Sequence, residues 1–347
     1  MSSNMTEKTS AAAAVYVQTN ESENKVITFR RSIDGSLEDI GGTDTGGAGS
    51  ATPHLPSQGS VVLTSDGAHL LVTNAASNDV SLLAVAKDAV VLLQVVGSGG
   101  ETPRSIAEHE GLVYVLNTGT PSLAGFRLVA GRLDPIEGST RVLATDADPA
   151  QVGFSPDGST LVVTERGTDA IVTRSVAADG LLGEPTARPS VGPTPYGFAF
   201  AGADTLVVTE AFGAMKGKAA ASSYALQNGT VAPVSASVGN GRSEICWAVV
   251  SKDARFAFTT NFADGAVSRY AIGAGGALAL EDATAGIAID GETGLRDEDI
   301  SSDGRFLYAI DADSRSIFGW EVGSGGSLTS IGSWNGLPVT VAGLAAS

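Results

Sequence analysis

The chain has 347 residues, 43% of them hydrophobic and 17% charged, with 44 glycines and a formal net charge of −17. That balance suits a folded protein that turns often, and it excludes nonspecific attraction to nucleic acid or anionic membrane, which depends on clustered Lys and Arg. A single cysteine, Cys246, excludes an intrachain disulfide and a cysteine-cluster metal site.

The first residues, "MSSNMTEKTSAAAA", contain acidic and basic residues but no apolar h-region, so they do not read as a signal peptide. No 18-residue apolar run follows anywhere. The expectation is a cytoplasmic monomer with residues 1–14 as a disordered tail. From residue 15 onward, short β-branched runs alternate with Gly, Asp, Asn and Pro, which is the pattern of strands and turns. In chain order, "AVYVQTN" ends at Asn20, "HLLVTN" at Asn74, "LVYVLN" at Asn117, "TLVVTE" at Glu165 and again at Glu210, "RFAFTTN" at Asn261 and "FLYAID" at Asp311. The spacings of these seven markers are 54, 43, 48, 45, 51 and 50 residues, the length of a four-stranded propeller blade.

Each unit parses as an inner strand A, an S-x-D-G turn as in "SPDG" or "SSDG", a strand B ending at the marker, a strand C and a weaker strand D. The first unit lacks a strand A, and the last is followed by "VTVAGLAAS", residues 339–347. Placing that segment in the first blade closes the ring and removes the open sheet edges. The sequence therefore predicts an all-β, seven-bladed propeller spanning residues 15–347 as one domain. Repeats of this kind override a length prior of about two domains.

The S-x-D-G turns and "LYVTN"-like runs, repeated over the whole chain, resemble the lactonase-like seven-bladed propellers described by a Tyr-Val-Thr-Asn repeat. That family includes 6-phosphogluconolactonase and 3-carboxy-cis,cis-muconate lactonizing enzyme. The resemblance implies a small-molecule site at one mouth of the channel, with Glu210, Glu244 and Arg296 matching a Glu, a Glu and an Arg of the family's fifth, sixth and seventh blades. Two positions depart from the family. Where its fourth blade carries a His this chain has Ala150, and its Arg-His pair is replaced by Tyr196 and Gly197.

In the antiparallel A–B pair, the start of A and the end of B lie on one face of the disc. The segments leading into strand A, "PSQGS", "TPRS", "DPAQ", "TPYG", "SEICW" and "LRDED", therefore surround the same mouth as the markers. Opening a lactone needs a base for water and positive charge where the oxyanion develops. Glu210 or Glu244 meets the first need, and Arg296 or Arg104 the second. Tyr196, Trp247, Gln151, Glu165 and Asp297 complete the candidate substrate-binding set. Against these stand structural readings: Asn, Asp and Glu at strand ends cap turns, and Arg104 and Arg296 pair with carboxylates such as Asp297 or Glu298. Glu165, Glu210, Glu244, Asp297 and Asp299 offer oxygen ligands to Ca²⁺ or Mg²⁺, but no contiguous ligand loop exists, so no cofactor is expected.

His54, in "TPHLP", is a loop histidine near the mouth, while His69 and His109 belong to the opposite face. The long loop "AFGAMKGKAAASSYAL" after Glu210 is a candidate lid with Phe212, Lys216 and Lys218. Three readings stay open: a lactonase-like hydrolase or lactonizing enzyme, an isomerase or cyclase on the same fold, and a non-catalytic propeller that binds a small molecule or protein.

Overall fold

The computed structural model describes residues 13–53, 55–56, 58–87 and 89–347. His54 and most of the proposed tail lie outside them. Seven antiparallel sheets form, and their inner strands are Leu344–Ala346, Val61–Leu63, Pro103–His109, Pro149–Phe154, Pro195–Ala201, Ile245–Val250 and Leu295–Ile300. Each inner strand touches the next in that order and the last touches the first, which makes a closed seven-bladed propeller. Helix is limited to two short 3₁₀ turns among the described residues.

Ring closure follows the sequence expectation. Leu344–Ala346 pairs antiparallel with Ala14–Gln18 as the inner strand of blade 1, while residues 339–343 form the turn and coil that reach it. Six markers end their strand B, and Asn20 lies two residues past Ala14–Gln18 in a left-handed conformation. Blade 3 departs from four strands: its outer edge is split into Arg132–Pro135 and Arg141–Val142, both paired with Ser122–Val129.

The apolar residues of each strand alternate between its two neighbouring blades, so the core is seven separate layers rather than one mass. One layer joins Val15, Val17 and Phe29 of blade 1 to Phe306, Tyr308 and Ile310 of blade 7. Another joins Val162 and Ile171 of blade 4 to Phe198, Leu206 and Tyr224 of blade 5. The remaining five boundaries are filled in the same way.

The recurring A–B turn is a side-chain device. In "SPDG", Ser155 Oγ donates to Asp157 Oδ1 at 2.6 Å and accepts from the Thr160 amide at 3.0 Å. Thr64–Asp66, Ser251–Asp253 and Ser301–Asp303 repeat the first bond. The hydroxyl holds Asp66, Asp157 and Asp253 below the usual carboxylate range. These turns all lie on the face opposite the markers, which leaves the marker face for a site.

Candidate functional site at the mouth of the channel

Five of the inner strands enter the sheet through the same distortion. The residue before the strand is left-handed, namely Thr102, Asp148, Thr194, Glu244 and Gly294. A register shift follows at Pro103/Ser105, Pro149/Gln151, Pro195/Phe198, Ile245/Ala248 and Leu295/Glu298. A β-bulge turns the extra residue away from its normal alternation. Here the bulge residues are Arg104, Ala150, Tyr196, Cys246 and Arg296, one per blade around the mouth.

The bulges are held from the neighbouring blade. Thr164 Oγ1 donates to the Tyr196 carbonyl and Thr209 Oγ1 to the Cys246 carbonyl, both at 2.6 Å. Thus the threonine of each "TLVVTE" run fixes the bulge of the next blade. At Gly197 a Cβ would stand 2.8 Å from Trp247 Cα and Cε3, so glycine is required where the family pattern places a His. The close approach packs Trp247, which is buried, behind Tyr196 with ring centres 4.7 Å apart. Trp247 therefore backs the mouth instead of facing a ligand.

Three arginines gather around Tyr196. Arg166, which the sequence reading passed over, lies 4.9 Å from the Tyr196 ring centre and pairs with Asp148 at 2.7 Å. Arg104 is close enough to Arg166 to feel its charge; burial and that repulsion lower its pKa. Arg296 is 5% exposed and lies over Phe262 at 5.4 Å. Its Nε and Nη1 are buried without a hydrogen-bond partner. The anticipated pairing of Arg296 with Asp297 or Glu298 thus does not use these nitrogens. Burial raises the Tyr196 phenol and pushes the Cys246 thiol up to about 12, so both stay protonated near neutral pH.

Glu244 is half-buried at the same rim, with its carbonyl accepting from the Phe262 amide at 2.9 Å. The other sequence candidates go elsewhere. Glu210 is 0% exposed and points into its own blade, not into the mouth. Its Oε1 accepts from the Gly192 amide and the Ser222 hydroxyl, and its Oε2 from Ser237 Oγ. Glu165 accepts from Thr168 Oγ1 at 2.7 Å, the turn-capping arrangement, and burial raises its pKa. Gln151 spends both ends of its amide on the backbone of Phe198, tying blade 4 to blade 5.

Asp297 accepts from the Leu344 amide and faces the lower part of the channel. Burial raises Asp297 and Glu298 well above the carboxylate range, and raises Asp299 to about 6. Among the described residues, no three His, Cys, Asp or Glu side chains converge to hold a metal. Glu165, Glu210, Glu244, Asp297 and Asp299 are accordingly not a common ligand set. No helix among the described residues is long and apolar enough to cross a membrane.

The loop after Glu210 arches over the rim between blades 5 and 6. Phe212 and Gly217 donate their amides to Pro193 O and Ser243 Oγ, at 3.2 and 3.0 Å. Phe212, Gly213 and Ala214 are all left-handed, which costs about 1–2 kcal/mol for each non-glycine. Lys216 and Lys218 are exposed on this loop.

This is a seven-bladed β-propeller with an arginine-lined mouth. Its resemblance to the lactonase branch of that fold is carried by a family model, "Lactonase, 7-bladed beta-propeller", that matches residues 9–142. No curated protein matches the chain. Among solved structures, a candidate 6-phosphogluconolactonase of Bacteroides fragilis is 20% identical, with a TM-score of 0.74 over 98% of this chain and 99% of that one. The periplasmic gluconolactonase PpgL of Pseudomonas aeruginosa is 18% identical, with a TM-score of 0.71 over 96% and 98%. A functionally unknown protein of Desulfotomaculum acetoxidans scores 0.75 at 13% identity over 97% and 99%. At these identities the likeness shows the fold alone.

Proposed function

We propose that the protein is a lactonase acting on a small, anionic cyclic ester at the arginine-lined mouth. The observation that carries this reading is Arg296, a guanidinium 95% removed from solvent whose Nε and Nη1 have no partner. A buried cation left so is costly unless a ligand completes it, and a planar guanidinium matches a carboxylate or phosphate. Arg104 and Arg166 add positive charge at the same rim of a chain whose net charge is −17. The match of residues 9–142 to a lactonase family model supports the reaction class.

In this reading Glu244 takes a proton from water as the water oxygen bonds to the lactone carbonyl carbon. The arginines stabilise the oxyanion that develops. The ring C–O bond then breaks, and the departing oxygen takes the proton that Glu244 removed from the water, which returns Glu244 to its carboxylate form. Glu210 has no part in the step, since its carboxylate is occupied within the blade. Steady-state turnover on a panel of sugar-acid lactones tests this. Hydrolysis that Glu244→Gln slows by roughly two orders of magnitude, the usual worth of a general base, supports the reading. Binding of the same lactones without turnover would turn it into a non-catalytic propeller.

A further inference from the structure

Beneath the mouth the channel contains a second chamber. The side chain of Gln58, from the segment leading into blade 2, donates through Nε2 to the Ala248 carbonyl of blade 6 at 3.1 Å, while the Gln58 backbone carbonyl accepts from Ser105 Oγ at 2.7 Å. Blades 2 and 6 are not neighbours in the ring, so this bond spans the bore. A cavity of about 360 Å³ is lined by Gln58, Gln151, Lys252, Asp297, Glu298 and Asp299. Neither Tyr196 nor Arg296 of the mouth lines it.

Several polar side chains of this chamber are satisfied within the fold. Gln151 is satisfied by Phe198, and Asp297 accepts from the Leu344 amide. Asp299 accepts from the Ile300 and Ala346 amides, both at 2.8 Å, and feels the charge of Lys252. Glu298 is 2% exposed and neither of its carboxylate oxygens has a partner at hydrogen-bonding geometry, the Thr260 amide being near enough only to favour its charged form; Gln58 Oε1 also has no partner. The buried side-chain oxygens of the chamber left without a partner are the two of Glu298 and Gln58 Oε1, while Lys252 and Ser302 also line it. Gln58, tied to blade 6 through the Ala248 carbonyl, and Glu298 of the adjacent blade 7 both line this chamber.

We infer that this chamber binds a hydrated divalent cation of the Mg²⁺ type, with the Glu298 carboxylate and the Gln58 amide oxygen as protein ligands and water completing the shell. Hard cations take oxygen ligands, and Mg²⁺ commonly keeps several waters and uses one or two carboxylates. An all-protein cage is absent, since no three acidic, His or Cys side chains converge among the described residues. The volume suits a hydrated ion, as each water occupies roughly 30 Å³ in the liquid.

Calorimetric titration of the metal-free full chain with MgCl₂ tests the assignment, with Mn²⁺ as a paramagnetic surrogate. One saturable site is expected, weakened at least ten-fold in Glu298→Gln and also weakened in Gln58→Leu. Arg104→Met, at the mouth and without a charge contact to the chamber carboxyls, leaves cation affinity unchanged, so the result is independent of the lactonase reading. Circular dichroism establishes that each variant is folded, and Gln58→Leu decides the matter should Glu298→Gln fail to fold. Absence of saturable binding, or affinity unchanged in the folded variants, overturns the inference.

Discussion

The hydroxyl of Thr209 donates to the carbonyl of Cys246 at 2.6 Å and also contacts the backbone of Gly197, accepting from its amide at 2.8 Å. One buried side chain at the end of a strand B therefore fixes the bulges of two inner strands, its own and that of the next blade. Thr164 holds Tyr196 in the same manner. The mouth is built by its neighbours, and the "T" of the repeat is a mouth-shaping residue.

Thr209→Val removes these bonds while keeping the volume, leaving a buried carbonyl and amide unsatisfied. The expected loss is about 1–3 kcal/mol of folding stability, read as a lower urea midpoint with unchanged m-value. A lactone KM that rises with this variant would follow from displacement of the Tyr196–Cys246 rim.

Glu210→Ala strips the acceptor from Gly192, Ser222 and Ser237. The variant should lose about 2–4 kcal/mol and show a marked fall in Tm. Activity per folded molecule should remain, because the carboxylate does not face the mouth. A variant with native Tm and no activity would return Glu210 to the catalytic site.

The buried carboxyls of blade 7 give a signed pH dependence. Burial raises Asp297, Glu298 and Asp299 above their unfolded values, with Asp299 at about 6, so the folded state holds protons more tightly than the unfolded chain. Their stabilisation is full below the ordinary carboxylate pKa and is lost as pH rises through the folded values. In metal-free buffer, urea unfolding should show stability falling between about pH 4 and pH 6 on account of Asp299, and continuing to fall above that. The groups setting this window are the three carboxyls, with Lys252 and Arg296 opposing the shift in part. Glu298→Gln should flatten the upper part of the curve and raise stability at pH 8. An unchanged slope would show that Glu298 titrates normally.

Much of this architecture was legible because the repeat is written in strand-length units. "HLLVTN", "TLVVTE" and "FLYAID" end their strands where the side-chain alternation and following turn dictate. The missing inner strand of blade 1 and the surplus residues 339–347 pointed to each other. The site was legible only as a face. A marker's position says which rim it lies on, not which way its side chain turns. Glu210 is turned inward by Ser222 and Ser237, whose partnership depends on strands C and D of the same blade. Arg166 was missed although it directly follows the marker Glu165 and so belongs to the same rim. Gln58 stood in the segment leading to blade 2, but its reach to Ala248 is a property of the closed ring and has no local signature. The Tyr196–Gly197 pair, noted as a departure from the family, proves to be a packing solution: Gly197 admits Trp247 and leaves Tyr196 to carry the rim.

The central claim is that the mouth recognises an anion through Arg296. It is tested most directly by comparing kcat/KM for a carboxylated or phosphorylated lactone with that for its neutral counterpart, in the wild-type protein and in Arg296→Met. The account predicts a preference for the charged substrate that falls by about 10–100-fold in the variant, the worth of one charge-assisted contact, with neutral-lactone turnover little changed. Equal rates on charged and neutral lactones, or a preference untouched by Arg296→Met, would contradict it.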